Sequence, residues 1–174
     1  MKAIMVTVRL WWFYLTYKGI KVAEIRKKFA KNFKGKVYEY VSKTNWKKDL
    51  MKIPEEEREF FKQFIGKVGL CFECDKVEEH RPFFHWCIEK ESCLTRDEVL
   101  DYLDSKDKFV GNPKRQDKVY AIHINNPEIF DKPKEISKFG RVVLEPRFFD
   151  GGEYYEEDKR FLTRAPQSWC YVEI

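Results

Sequence analysis

The chain has no hydrophobic run of the roughly 20 residues needed to cross a bilayer. Its most apolar stretch, Met1–Tyr17, is interrupted by Arg9, carries the bulky Trp11, Trp12 and Phe13, and offers no small-residue cleavage site. It therefore does not read as a secretory leader, and a cytoplasmic protein without membrane contact is expected. No P-loop, nucleophile elbow or metalloprotease helix occurs, so three common catalytic frameworks lack their signatures. There is no internal repeat and no low-complexity tract. The five cysteines are an odd number, which fits reduced thiols better than a disulfide framework. Cys71 and Cys74, with His80, His85, Cys87 and Cys93 downstream, invite a zinc reading. However, two residues three apart on a strand face opposite sides, and no second C-x-x-C follows. Neither a metal nor a cofactor is expected.

The 174 residues are 43% hydrophobic and 17% aromatic, enough for a real core and more aromatic than a core alone requires. One domain over 1–174 is expected, with a helical insertion around 78–116. The 34 basic and 29 acidic side chains leave a net charge of +5. This mild excess suits a phosphate-bearing partner without demanding one. Its distribution is uneven. From Lys18 to Lys52, lysines and Arg26 are opposed only by Glu24, Glu39 and Asp49.

Periodicity predicts strands at Ala3–Val8, Lys21–Arg26, Lys36–Val41, Gly66–Val77, Lys118–Ile124 and Ser168–Ile174. It predicts helices at Leu10–Lys18, stopped by Gly19, from Pro54 to about Phe64, and near Lys134–Phe139. Thr95-Arg96-Asp97-Glu98 reads as a capping box for a helix reaching about Leu103. Glu78–Glu91 shows no clean period. Ser105–Gln116 reads as a polar loop, Asn125–Pro133 as a turn-rich connection and Gly140–Tyr155 as irregular. Many strands with few short helices predict an α+β chain, a mixed β-barrel decorated with helices.

The densest chemistry lies in Gly19-Ile20-Lys21-Val22-Ala23-Glu24-Ile25-Arg26. Strand alternation puts Glu24 and Arg26 on one face, where a carboxylate beside a guanidinium stays ionised. Lys21 nominally points away, but a turn at Gly19 would redirect it. Two readings stay open: a solvated surface strand with a salt bridge, or the polar floor of a cleft that holds phosphate or the edge of a base. Trp169 and Tyr171 share a strand face and read either as core or as a stacking wall. His123, in an apolar strand, reads as a structural histidine or a ligand contact. Lys43 and the Lys27–Lys36 tract would gather nucleic-acid backbone only if they lie beside such a cleft.

Gly19-x-Lys21-x-x-Glu24-x-Arg26 resembles the G-x-K-x-x-E-x-R signature of ASCH domains, members of the PUA-like superfamily. Met1–Val8 is similar to the way those domains open. Tyr120–Ile124, Ile129–Ile136 and Arg164–Glu173 resemble segments of small ASCH-type proteins of bacteria and their phages. The resemblance implies a PUA-like mixed β-barrel whose cleft binds RNA or a modified nucleoside. The resemblance places the signature residues Lys21, Glu24 and Arg26 in the cleft, and Lys43, His123, Trp169 and Tyr171 join them as candidate nucleic-acid contacts. Two alternatives stay open. In the first, an amidohydrolase on an N4-acylated cytidine or a ribonuclease, Lys21 and Glu24 are catalytic. The related amidohydrolases carry threonine where this chain has Glu24 and need a further acid, for which Glu73 is a counterpart. The second is a phage-type inhibitor that binds a protein partner through the Asp150–Asp158 loop and the Pro82–Trp86 aromatics.

Overall fold

The computed structural model describes residues 3–80, 86–102, 118–149 and 152–173. Strand β1 (Ala3–Val8) pairs antiparallel with β10 (Trp169–Val172) and parallel with β3 (Gly35–Val41). A parallel pair needs a crossover. Here it contains helix α1 (Leu10–Tyr17) and strand β2 (Ala23–Arg26). β3 continues to β4 (Val68–Cys74) and β4 to the edge strand β7 (Asn125–Lys134), giving the order β10-β1-β3-β4-β7. β2 leaves this sheet for a second one, ordered β2-β6-β5, with β5 at Val77–His80 and β6 at Val119–His123. β8 (Gly140–Phe149) and β9 (Gly152–Phe161) form a hairpin. The short helices are α2 (Trp46–Leu50), α3 (Arg58–Lys62), α4 (Trp86–Ser92) and α5 (Arg96–Tyr102).

The chain is thus α+β, with mostly strands and short helices. The expected barrel does not appear as a closed ring: hydrogen bonding groups the described strands into three sheets. The crossover explains why, because β2 is carried out of register with its sequence neighbours and given to β6.

β1 is buried on both faces, which its apolar run from Ala3 to Val6 permits. Ile4, Val6 and Val8 face α1 with Phe13, Phe61, Phe64 and Phe72, whereas Ala3 and Met5 join Tyr38, Tyr40, Phe139 and Val172 on the other side. Cys71 and Cys74 fall into different clusters, as alternation requires, and both are free thiols. Strict alternation along Gly66–Val77 would put Val68 on the face of Leu70, but the two lie in different clusters. The pairing slips at Gly69, opposite Glu39 and Tyr40, and the bulge sends Val68 to the Cys71 side. The rings of Phe13 and Phe64 occupy the space a Gly69 side chain would take.

Three more expectations are corrected. The long Gly66–Val77 strand is two strands of different sheets, broken at Asp75 and Lys76. Asn125–Pro133 is strand β7, whose Pro127 and Pro133 are tolerated because it lies at an edge and pairs with register shifts. Gly140–Tyr155 is most of the β8–β9 hairpin, and Asp150–Asp158 is largely strand rather than loop. Helix α2 was not foreseen. The Ser105–Gln116 loop and residues 82–85 lie outside the described residues. No helix among those described is long and apolar enough to cross a membrane.

Candidate nucleic-acid interface

Helix α1 ends in a hydrogen-bonded pattern that aims Lys21. The Gly19 amide donates to Thr16 O and the Ile20 amide to Leu15 O, both at 3.0 Å, with Gly19 at φ +68°. This is a Schellman ending, and it needs the left-handed backbone that glycine adopts without strain. The Lys21 amide also donates to Leu15 O. The chain therefore turns before β2 begins at Ala23, and Lys21 is brought round to the face of Glu24 and Arg26.

All three residues are buried, with 3%, 6% and 7% of their surfaces exposed. The solvated-surface reading is therefore excluded. Lys21 Nζ donates to Glu24 Oε2, and Arg26 Nη2 lies 2.6 Å from Glu24 Oε1 and 2.7 Å from Thr7 O. Burial pushes the Glu24 carboxyl up, but the charges and hydrogen bonds of Arg26 and Lys21 outweigh it and hold it below the usual range. One carboxylate thus serves two cations. Arg26 Nε is buried with no hydrogen-bond partner.

A cleft of about 470 Å³ opens over this floor. Its lining includes Thr7, Arg9 and Trp12 on one side and Ser92, Leu94, Glu98 and Tyr102 on the other. The Trp12 ring lies 5.9 Å from Lys21 Nζ. Tyr102 is presented by α5, whose start is fixed as its sequence predicts: the Glu98 amide donates to Thr95 Oγ1, and the Thr95 amide donates to Glu98 Oε2. Arg9 grips the fully buried Asp49 with two hydrogen bonds, tying the mouth to α2.

Under the floor lies a group that sequence reasoning missed. Glu39, in the middle of β3, has no exposed surface. It shares its face with Val37 and Val41 and lies 3.4 Å from Thr16 Oγ1, while its Oε2 has no partner. Burial pushes its carboxyl up to about 8. Lys21 opposes that rise, Glu24 adds to it, and Arg26 and the Thr16 hydroxyl oppose it. The available signal was an acid inside the bulky run Val37-Tyr38-Glu39-Tyr40-Val41.

The remaining sequence candidates are elsewhere. Lys43 is exposed beyond β3 with its stem over Gly66. His123 pairs with Glu78 at 2.9 Å, and Lys76 and His123 together hold Glu78 down at about 2. Glu78, Glu91 and His123 place donor atoms within 4.8 Å of one another, a set able to hold a divalent ion, although the Lys76 ammonium already occupies Glu78. Glu73 is half exposed beside Lys36. Trp169 packs 5.1 Å from Phe29, donates its Nε1–H to Lys28 O at 2.7 Å, and lies 5.7 Å from Tyr171. These two rings line a second hollow. The aromatic walls of the cleft are Trp12 and Tyr102.

Comparison with known proteins agrees with this geometry at the level of the fold. No protein-family model and no curated protein matches the chain. Among solved structures, it resembles the ASCH protein of Zymomonas mobilis with a TM-score of 0.54 at 10% identity, over 98% of this chain and 87% of that one. A tyrosine-to-phenylalanine variant of that protein matches with a TM-score of 0.54 at 10% identity, over 78% and 77%. A serine-to-alanine variant matches with 0.51 at 11% identity, over 76% and 73%. The chain has the ASCH-domain fold.

Proposed function

We propose that the cleft binds RNA or a modified nucleoside, in the manner the signature resemblance implies, and that its sheets are an opened form of the PUA-like barrel. One observation carries the reading: two buried cations share a single ionised carboxylate, and one guanidinium nitrogen beneath the cleft is left unpartnered. Buried charge is stabilised only when paired or liganded, so the arrangement favours a guest with acceptor oxygens. The volume is that of a small-molecule site and holds one nucleoside rather than a strand. In this reading Lys21 and Arg26 meet phosphate or base acceptors, Glu24 holds both cations in place, and a base stacks against Trp12 or Tyr102.

Filter binding of a single-stranded RNA to the wild type, Lys21→Ala/Arg26→Ala and Trp12→Leu tests it. Both variants are expected to lose affinity while keeping the wild-type circular dichroism. Equal affinity in all three would refute the proposal.

Direct contact between Lys21 and Glu24 in a sheltered cleft favours a second reading, in which the pair moves protons as an amidohydrolase on an N4-acylated cytidine or as a ribonuclease. Incubation with N4-acetylcytidine and with labelled RNA decides it. Turnover no faster than in a Lys21→Ala control removes it.

A further inference from the structure

We propose that the hollow lined by Arg141, Arg160, Arg164, Gln167, Trp169 and Tyr171 is a second nucleic-acid subsite, which holds the backbone of a single-stranded RNA whose base lies in the cleft. The proposal rests on the cleft reading above and extends it from one nucleotide to a strand.

The first support is a cluster of arginines. Arg141 and Arg160 stand directly opposite each other in the β8–β9 ladder, and both line the hollow. Arg160 is itself paired, with Asp158 3.2 Å from its Nε. Among the described residues, the lining of the hollow includes no acid. Arg164 adds a third guanidinium on the segment that leads into β10. Three planar cations around one concavity match the bidentate geometry of phosphate.

The second support is the company these arginines keep. Tyr171 is 41% exposed and meets Trp169 edge to face. Exposed rings beside arginines are the elements of single-strand binding, in which bases stack and the backbone is neutralised. The hollow measures about 890 Å³, nearly twice the cleft, as an extended ligand requires.

The third support is position. Thr7 lines the cleft, and its hydroxyl donates to the carbonyl of Pro166 at 2.6 Å, while Pro166 lines the hollow. The Thr7 amide donates to Ser168 O. The cleft-lining Thr7 is therefore hydrogen-bonded directly to the segment Pro166–Ser168, of which Pro166 and Gln167 line the hollow.

Fluorescence anisotropy with a single-stranded RNA of about 12 nucleotides, beside calorimetry with a nucleoside 5′-monophosphate, tests the proposal. Arg141→Ala/Arg164→Ala is expected to weaken the RNA roughly tenfold at low salt, to make the salt slope shallower by about 1.4, and to leave the monophosphate unchanged. Tyr171→Ala, an exposed substitution, is expected to weaken the RNA about fivefold or more. Wild-type RNA affinity in both variants overturns the subsite alone, and so does an equal loss for RNA and monophosphate. Loss of RNA binding in these variants, with none in Lys21→Ala/Arg26→Ala, keeps the subsite and overturns the cleft reading. Absence of RNA binding by the wild type overturns both. Poly-glutamate displacing the RNA at equal charge concentration assigns the hollow to acidic chains and overturns it as a nucleotide site.

Discussion

At the scale of single residues, the two buried carboxyls of the site pull stability in opposite directions as pH changes. Glu24 titrates below its ordinary 4.5 in the folded chain, so its contribution is present above that value and is lost as pH falls through the lower folded value. Glu39 titrates at about 8, so the folded state holds its proton more tightly than the unfolded one. Its contribution is complete below 4.5 and is lost as pH rises through about 8. Geometry argues for the same proton. Thr16 has one hydroxyl hydrogen, and its oxygen lies 3.2 Å from Trp12 O and 3.4 Å from Glu39 Oε1. It satisfies both neighbours only if the carboxyl supplies the second hydrogen. Glu39→Gln keeps the shape and removes the titration. Urea unfolding without ligand is expected to show the variant gaining on the wild type as pH rises from 5 to 9, by roughly 2–4 kcal/mol across the range. A constant difference between the two proteins would mean that Glu39 is ionised throughout. None of this could be read from the sequence with confidence in its direction. The signature residues announced themselves by spacing, whereas Glu39 became significant only when β3 was placed under α1.

At the scale of elements, the turn between α1 and β2 decides whether the signature works as one cluster. Alternation alone would have sent Lys21 to the opposite face from Glu24. The Schellman ending overrides it, and the glycine that makes that ending possible is the first letter of the signature. Nothing lies within 4 Å of a Cβ built on Gly19, so a substitution there is opposed by backbone conformation and not by a clash. Gly19→Ala is expected to cost about 1 kcal/mol in thermal or urea unfolding, and Gly19→Asn less than half of that, because asparagine tolerates the left-handed region. Equal costs for the two would point to lost packing instead. Elements with a strong local signal were legible in this way: β1, α1 and α5 carry apolar runs, a glycine stop and a capping box. Elements whose identity depends on a distant partner were not. β7 holds two prolines and polar side chains and is a strand only because β4 offers it an edge. The β8–β9 hairpin has the same character, since each strand is defined by the other. The break at Asp75 and Lys76, invisible to periodicity, moves the chain from one sheet to another. Trp12, the cleft's aromatic wall, was hidden for the opposite reason: within α1 it looked like one more apolar residue.

At the scale of the whole molecule, the basic first third is less basic than its composition suggests. Lys18 pairs with Glu57, Lys31 with Glu79 at 2.7 Å, and Lys36 with Glu128 at 3.4 Å, while acids elsewhere take Lys62, Lys67, Lys76 and Lys118. These exposed pairs contribute little to stability, but they lower the field that a tract of lysines would present to a polyanion. The cleft floor keeps one net charge, with Glu39 neutral, and Arg141 and Arg164 line the second hollow. A guest spanning cleft and hollow should therefore neutralise about three charges, and log K for a short single-stranded RNA should fall against log salt with a slope of about −2. Lys31→Ala should leave that slope and the affinity within about twofold of wild type, because Lys31 is already matched by Glu79. A slope steeper than about −5, or a marked loss on removing Lys31, would show that RNA lies along the Lys27–Lys36 tract, and both concave sites would then be secondary to an open basic surface.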